Sequence, residues 1–323
     1  MKAYAVKNKD ISTRMKSRSG GVFPALSDFV LDNNGTVYGC VLDDNLQAVH
    51  IRATTKEERD KMSGSKYVQS NKGNIFSQIK SDLKDGKYVL FSGTSCEIDG
   101  LRAFIGEALS SKLLLVDIIC HGVPSPKIWN SYLSYVADNN GFQVINADFR
   151  NKKDFGWAAH KETLYLADST KYTSSDYASI FYSHMALRPC CSKCPYTSVN
   201  RYSDITLADC WGIDKTLPDF SDNKGVSLII VSTPKGENVF NHILPHIEFI
   251  EVDINDFLQR PLLGPAKISQ TKRQKFWKNF ESKPFSYIVS KYGSDSAEVV
   301  IKNLLNKLLP NQALRMLKRF FGR

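Results

Sequence analysis

Two short apolar runs, at 88–91 and 113–119, each end in a loop that holds glycine and a cysteine. The first leads into Ser92-Gly93-Thr94-Ser95-Cys96 and the second into Cys120-His121-Gly122. Apolar runs of this length bounded by glycine read as strands buried on both faces, the kind that helices cover in a parallel sheet. A helical pattern follows each, through Ile98 and Leu101 after the first and over 126–136, opened by Pro126, after the second. Strand, loop, helix, strand, loop, helix predicts an α/β fold, whose ligands gather at the carboxyl ends of strands. Cys96 and Cys120 both fall there.

The flanking pattern extends this to a mixed sheet flanked by helices. Strands are expected at 3–6, 36–42 and 50–53, the last two antiparallel, with helices at 22–31, at 56–61 and from Asn74 to 83. Past residue 149 the alternation breaks. A strand near 163–166, a helix over 177–184 and a cysteine pair come first, then a strand at 226–231, a helix at 236–246 and a strand at 247–252. From 253 the chain reads as irregular until a basic amphipathic helix near its end. The expected division is an α/β lobe over 1–155, a smaller second lobe over 156–255, and a third segment over 256–323.

No apolar run approaches the roughly 18 residues that span a bilayer. The start, Met1-Lys2-Ala3-Tyr4-Ala5-Val6-Lys7, is too polar for a secretory signal, which gives a cytoplasmic expectation. Seven cysteines in such a chain are then reduced thiols or metal ligands rather than disulfides. The net charge of +10 comes from Lys and Arg interleaved with 33 acidic residues, and no nucleic-acid motif accompanies it. Only 302–323 concentrates positive charge without an acid. Its leucines and phenylalanines form an apolar stripe suited to docking on the body of the protein; the alternative is a peripheral contact with an anionic membrane surface, at the inner face.

Cys191 and Cys194 form a Cys-x-x-Cys between Pro189 and Pro195, a spacing at which two sulfurs of one loop reach one metal. A redox dithiol is the competing reading, but such a pair opens a helix after a strand, and this one follows a helix. Cys96 stands at a helix N-terminus, where the dipole favours thiolate for a ligand or a nucleophile alike. Cys120 alone reads equally as a packed core residue. Core packing is expected for Cys40 and Cys210, and Cys190 reads as a spare. Two loops, Ser19-Gly20-Gly21 before a helix and Ser63-Gly64-Ser65-Lys66-Tyr67, have the composition to face a phosphate or a ring. No Gly-x-Gly-x-x-Gly is present, which argues against an ordinary dinucleotide fingerprint.

Taken in order, seven segments resemble the coenzyme F-420 hydrogenase/dehydrogenase beta subunit family. They are Ser19-Gly20-Gly21-Val22-Phe23, Gly64 through Ser70, Gly93-Thr94-Ser95-Cys96-Glu97 on to Leu101, Cys120 through Pro126, Phe149-Arg150-Asn151-Lys152 with Gly156-Trp157, the Cys191/Cys194 pair, and Arg201 through Gly212. The resemblance covers roughly residues 1–275. It implies FAD beside a 4Fe–4S cluster, hence a flavin-binding first lobe and an iron–sulfur second lobe. By motif it implies Cys96, Cys120, Cys191 and Cys194 as cluster ligands. It implies Ser19, Gly20, Gly21, Ser65, Lys66, Tyr67 and Thr94 as flavin contacts, with Arg150 and Lys152 beside a phosphate or the flavin N1 side.

Three departures are visible. Ser95 and Glu97 stand where the family has Pro and Gln, and Glu97 is expected to add negative charge near the cluster. Cys210 replaces a Phe, giving a fifth thiol. The ferredoxin segment at the start of many relatives is not in this sequence, so electrons are expected from a separate ferredoxin-like protein or a soluble donor. The implied function is an oxidoreductase that passes electrons between a small-molecule redox substrate, such as the deazaflavin, and a redox partner, with a surface-polysaccharide setting known among relatives. The alternative is a zinc-stapled, flavin-free binding or scaffolding protein of the same fold.

Overall fold

The computed structural model describes residues 1–296 and 300–301, and the basic helix expected over 302–323 lies outside them. The chain opens with β1 (Lys2–Asn8), α1 (Ile11–Lys16) and α2 (Val22–Asp32). A hairpin of β2 (Thr36–Leu42) and β3 (Ala48–Ala53) precedes α3 (Lys56–Asp60) and α4 (Ile75–Lys84). Then comes the alternation read from the sequence: β4 (Val89–Thr94), α5 (Ser95–Ile105), β5 (Leu113–Ile118) and α6 (Pro126–Asn140). A second, three-stranded sheet follows, built from β6 (Val144–Asp148), β7 (Glu162–Leu166) and β8 (Lys171–Ser174). Helix α7 (Lys152–Phe155) lies between its first two strands and α8 (Asp176–Tyr182) after its last. The chain returns through β9 (Ile205–Asp209), α9 (Ile213–Thr216), β10 (Ser227–Val231), α10 (Pro234–Ile243) and β11 (Ile247–Val252). Helices α11 (Arg260–Leu263), α12 (Gln270–Ser282) and α13 (Phe285–Tyr292) come last.

The large sheet is mixed, in the order β11-β1-β10-β9-β5-β4-β2-β3. Its middle strands β2, β4, β5 and β9 run parallel, and the outer ones are antiparallel to their neighbours. Strands from both sides of residue 155 thus share one sheet, with β9 against β5 and β1 inserted between β10 and β11. The side chains of the buried strands alternate as a pleated sheet requires. Val37, Leu90, Leu114 and Val116 pack with Leu26 and Val30 of α2 and Phe240 of α10. Tyr38, Phe91, Leu113 and Leu115 pack with Ile79 of α4 and with Ile98 and Leu101 of α5. Each such side chain contributes about 1.5–3 kcal/mol by burial. With both faces covered, the carboxyl ends of β4 and β5 are the places left open.

The stretch after 253, expected to be irregular, contains α12 and α13. Helix α12 is rich in Lys and Gln, and its apolar residues are only Phe276, Trp277 and Phe280, too few for a periodic signal. They are enough when a partner waits: Phe276 is fully buried in the cluster that also holds Trp129, Tyr132 and Tyr177. Among the described residues no helix is long and apolar enough to cross a membrane.

Candidate functional site

Cys96 is the second residue of α5, directly after the end of β4, and Cys120 lies two residues past β5. Cys191 and Cys194 come from a single 3-10 turn, Pro189–Lys193, and the residue after it. That turn is docked on the loop after Cys120, since Arg188 N–H donates to the Val123 carbonyl at 3.0 Å and Ser125 N–H to that of Ala186 at 3.1 Å. Arg273 of α12 clasps the same segment, donating to the carbonyls of Met185 at 2.6 Å and Leu187 at 2.5 Å. Gly122 makes the approach feasible. A Cβ there would stand 2.7 Å from a Leu187 methyl and 3.3 Å from Cys191 Cβ, and its φ of 114° suits only glycine.

Cys120, Cys191 and Cys194 therefore share one small cavity, and Cys96 lies near them but lines neither cavity. Cys120 lies within electrostatic reach of Cys96 and Cys191, and Cys96 within that of Cys194. Cys120, Cys191 and Cys194 line a small cavity of ≈40 Å³ with His121, His184 and Arg260. Burial pushes the Cys120 thiol up to about 12, against a hydrogen bond from Gly122 N–H that favours thiolate. Burial also raises Cys96, although Thr94 Oγ1 sits 3.2 Å from its sulfur. Thiols held up in this way ionise when a cationic centre compensates them. No three His, Cys, Asp or Glu side chains among the described residues are close enough to share a single ion. Cys190 is exposed, as a spare would be, and Cys210 is fully buried in a core with Trp157 and Phe257 and lines neither cavity. Cys40, expected in the core, is half-buried and lines the larger cavity.

That larger cavity, of ≈280 Å³, opens beside the cysteines, and Cys120 lines both. Seven of the expected flavin residues line it: Ser19, Gly21, Ser65, Lys66, Tyr67, Thr94 and Arg150. Gly20 and Lys152 do not. Gly20 is required by packing, because a Cβ there would meet the Val6 carbonyl oxygen and stand 2.6 Å from Ser227 N. Lys152 is 4% exposed, and its Nζ donates to the carbonyls of Arg14 at 2.5 Å, Ser19 at 3.0 Å and Lys224 at 2.8 Å. It clasps the Ser-Gly-Gly loop from behind rather than facing a ligand, and burial beside Arg18 and Arg14 lowers it to about 7.

The expected cations are likewise engaged. Lys66 Nζ donates to the carbonyls of Lys61, Met62, Ser63 and Gly64, closing its own loop, and burial lowers it to about 8. Arg150 donates to Asp209 at 3.1 Å and to the carbonyls of Ala159 and Trp157. Glu97 caps α5 through Thr94 N–H at 2.9 Å and pairs with Lys72, so its charge is met. Tyr67 stacks on Phe181 at 4.8 Å, presenting an aromatic wall.

Further residues complete the site, and of these Arg18 and His160 were not singled out in the sequence. Trp211 stacks on Trp157 at 4.8 Å, with the Arg150 guanidinium 5.1 Å above it. His121 and His160 are each held down to about 4, chiefly by burial and with help from Arg150. Arg18 lines the cavity with its Nε and Nη1 buried and without partners; its one sequence signal was its place directly before Ser19-Gly20-Gly21. The aromatic walls and these free donors fit a flat ring that carries an anionic group. Thiols are the ligand type that a soft-metal centre takes.

Residues 86–256 match the family described as the C terminus of the coenzyme F420 hydrogenase/dehydrogenase beta subunit. Among solved structures, a chain of the xenon-derivatised F420-reducing [NiFe] hydrogenase complex from Methanosarcina barkeri superposes with a TM-score of 0.56 at 16% identity. The alignment covers 86% of this chain and 91% of that one. No curated protein matches the sequence.

Proposed function

The chain belongs to the coenzyme F420 hydrogenase/dehydrogenase beta subunit family, a family of oxidoreductases, and from that premise we propose that it is an FAD- and 4Fe–4S-dependent oxidoreductase. The observation that carries this reading is the shared wall: Cys120 lines both the cysteine cavity and the larger ring-sized one. When bound, the flavin supplies two-electron exchange with a small molecule and the cluster supplies one-electron exchange with a protein partner.

In this reading Cys96, Cys120, Cys191 and Cys194 hold the cluster. Ser19, Gly21, Ser65, Tyr67 and Thr94 line the ring site, and Arg150 fixes Asp209 and the Trp211 face beneath it. His121, neutral at pH 7, lines the cavity with a ring nitrogen able to accept a proton, whereas His160 Nε2 already accepts from Arg150 Nη2 at 3.3 Å. The solved relative is a chain of a multi-subunit hydrogenase complex, which supports a separate redox protein as partner. A deazaflavin is the first substrate to try.

The test is anaerobic reconstitution of the full chain with iron, sulfide and FAD. The expected product is brown, with about four iron and four sulfide per chain, and its flavin bleaches with reduced deazaflavin, NADH, NADPH or reduced ferredoxin. A colourless protein that takes up one zinc and no flavin would establish the stapled scaffold instead.

A further inference from the structure

The start of α2 and the Arg18 side chain face the same cavity. Gly21, Val22 and Phe23 line it, and no side chain caps the helix, so its first N–H groups present the positive end of the helix dipole unmasked. The Arg18 side chain is 10% exposed. Its Nη2 donates to the Trp157 carbonyl at 2.7 Å, while Nε and Nη1 are buried with no acceptor. Asp209 comes only to 3.7 Å, and its oxygens already accept from Arg150 and from Trp157 Nε1. Lys66 and Arg150, the other Lys and Arg lining the cavity among the described residues, have their donors turned to backbone carbonyls and to Asp209.

We propose that Arg18 and the first turn of α2 form an oxyanion site that takes a phosphate group. A buried guanidinium donor with nothing to bond is costly, and a ligand oxygen removes that cost. A helix N-terminus and an arginine converging on one space match the several oxygens of a phosphate better than a carbonyl. The phosphate belongs either to a nucleotide cofactor or to the substrate. The site deepens the flavin reading above, yet its geometry stands without it.

The experiment uses the full chain free of flavin, titrated calorimetrically with inorganic pyrophosphate, as wild type, Arg18→Gln and Arg18→Lys. Wild type binds, Arg18→Gln loses at least ten-fold in affinity, and Arg18→Lys falls between, with thermal melts confirming that the variants fold. Should Arg18→Gln fail to fold, the drop in Arg18→Lys decides. Titration with FAD and riboflavin then separates the sources. A loss for FAD but not riboflavin in Arg18→Gln assigns the phosphate to the cofactor, and unchanged FAD affinity assigns it to the substrate. A chain that never binds flavin but binds pyrophosphate through Arg18 keeps this site and removes the flavin reading. Absence of pyrophosphate binding to wild type, or equal binding by both variants, overturns the proposal.

Discussion

Replacing Arg201 by Met should destabilise the protein more than any surface change, because it leaves a charge stranded. Asp117 on β5 is 0% exposed, and the side chain of Arg201 is 2% exposed. Asp117 Oδ2 accepts from Ser95 Oγ and from Arg201 Nη1, each at 2.6 Å, and Oδ1 accepts from Ser203 Oγ at 2.9 Å. Arg201→Met removes the only cation of this group and keeps the buried carboxylate, a change that costs about 3–5 kcal/mol. At the ~2 °C per kcal/mol expected for a large domain, the melting point falls by roughly 6–10 °C. Asp117→Asn strands the guanidinium instead and should cost a similar amount. The double variant Asp117→Asn/Arg201→Met strands neither, so the cycle should show a coupling of at least about 2 kcal/mol. Urea unfolding of the cofactor-free chain, held anaerobic, measures all four proteins. Single variants within about 1 kcal/mol of wild type, or a strictly additive cycle, would refute the argument that this pair is held in a dry, closed site.

Lys152→Met should lower stability by about 2–4 kcal/mol, because three buried carbonyls lose one shared donor; an unchanged urea midpoint would mean that the lysine is no clasp. His160 sits at about 4 in the folded chain against an ordinary 6.5, so the unfolded chain takes up the proton first. Its contribution is whole above pH 6.5 and is lost as pH falls from 6.5 towards 4. His160→Gln should flatten that part of the stability curve, and an identical slope would count against it. Cys96→Ser, Cys120→Ser, Cys191→Ser and Cys194→Ser should each lower bound iron after reconstitution, with Cys190→Ser unaffected. Full iron in Cys120→Ser would take that residue out of the set.

The parallel heart of the fold was legible because β4 and β5 are buried on both faces, which leaves apolar runs, interrupted in β5 by Asp117 alone, that end near glycine. The positions of Cys96 and Cys120 at the ends of those strands were legible for the same reason, while Cys191 and Cys194 come from a turn after α8. Strand β9 was not, because Thr206 and Asp209 interrupt its apolar residues and its place is set by pairing with β5 and β10, a distant event. Helices α12 and α13 are likewise made by the aromatic cluster they cover rather than by their own periodicity. Lys66 and Lys152 show a different limit. Sequence identifies a cation near a glycine loop, but only the folded chain shows that backbone carbonyls have already claimed it. Arg18 is the converse case, a cation with no motif of its own whose donors the fold leaves unused.

The position of β1 has a consequence for how the protein is made. It lies between β10 and β11, with Val6 opposite Ser227 and Asn8 opposite Ile247. Once it has left the ribosome, β1 therefore waits for partners encoded roughly 220 residues later, about ten to forty seconds at 5–20 residues per second. Through that interval Ala3, Tyr4, Ala5 and Val6, all buried in the finished sheet, have neither edge paired. The nascent chain is thus a natural client for a holding chaperone, and a messenger cut short before β11 would yield a product whose opening strand keeps a bare edge.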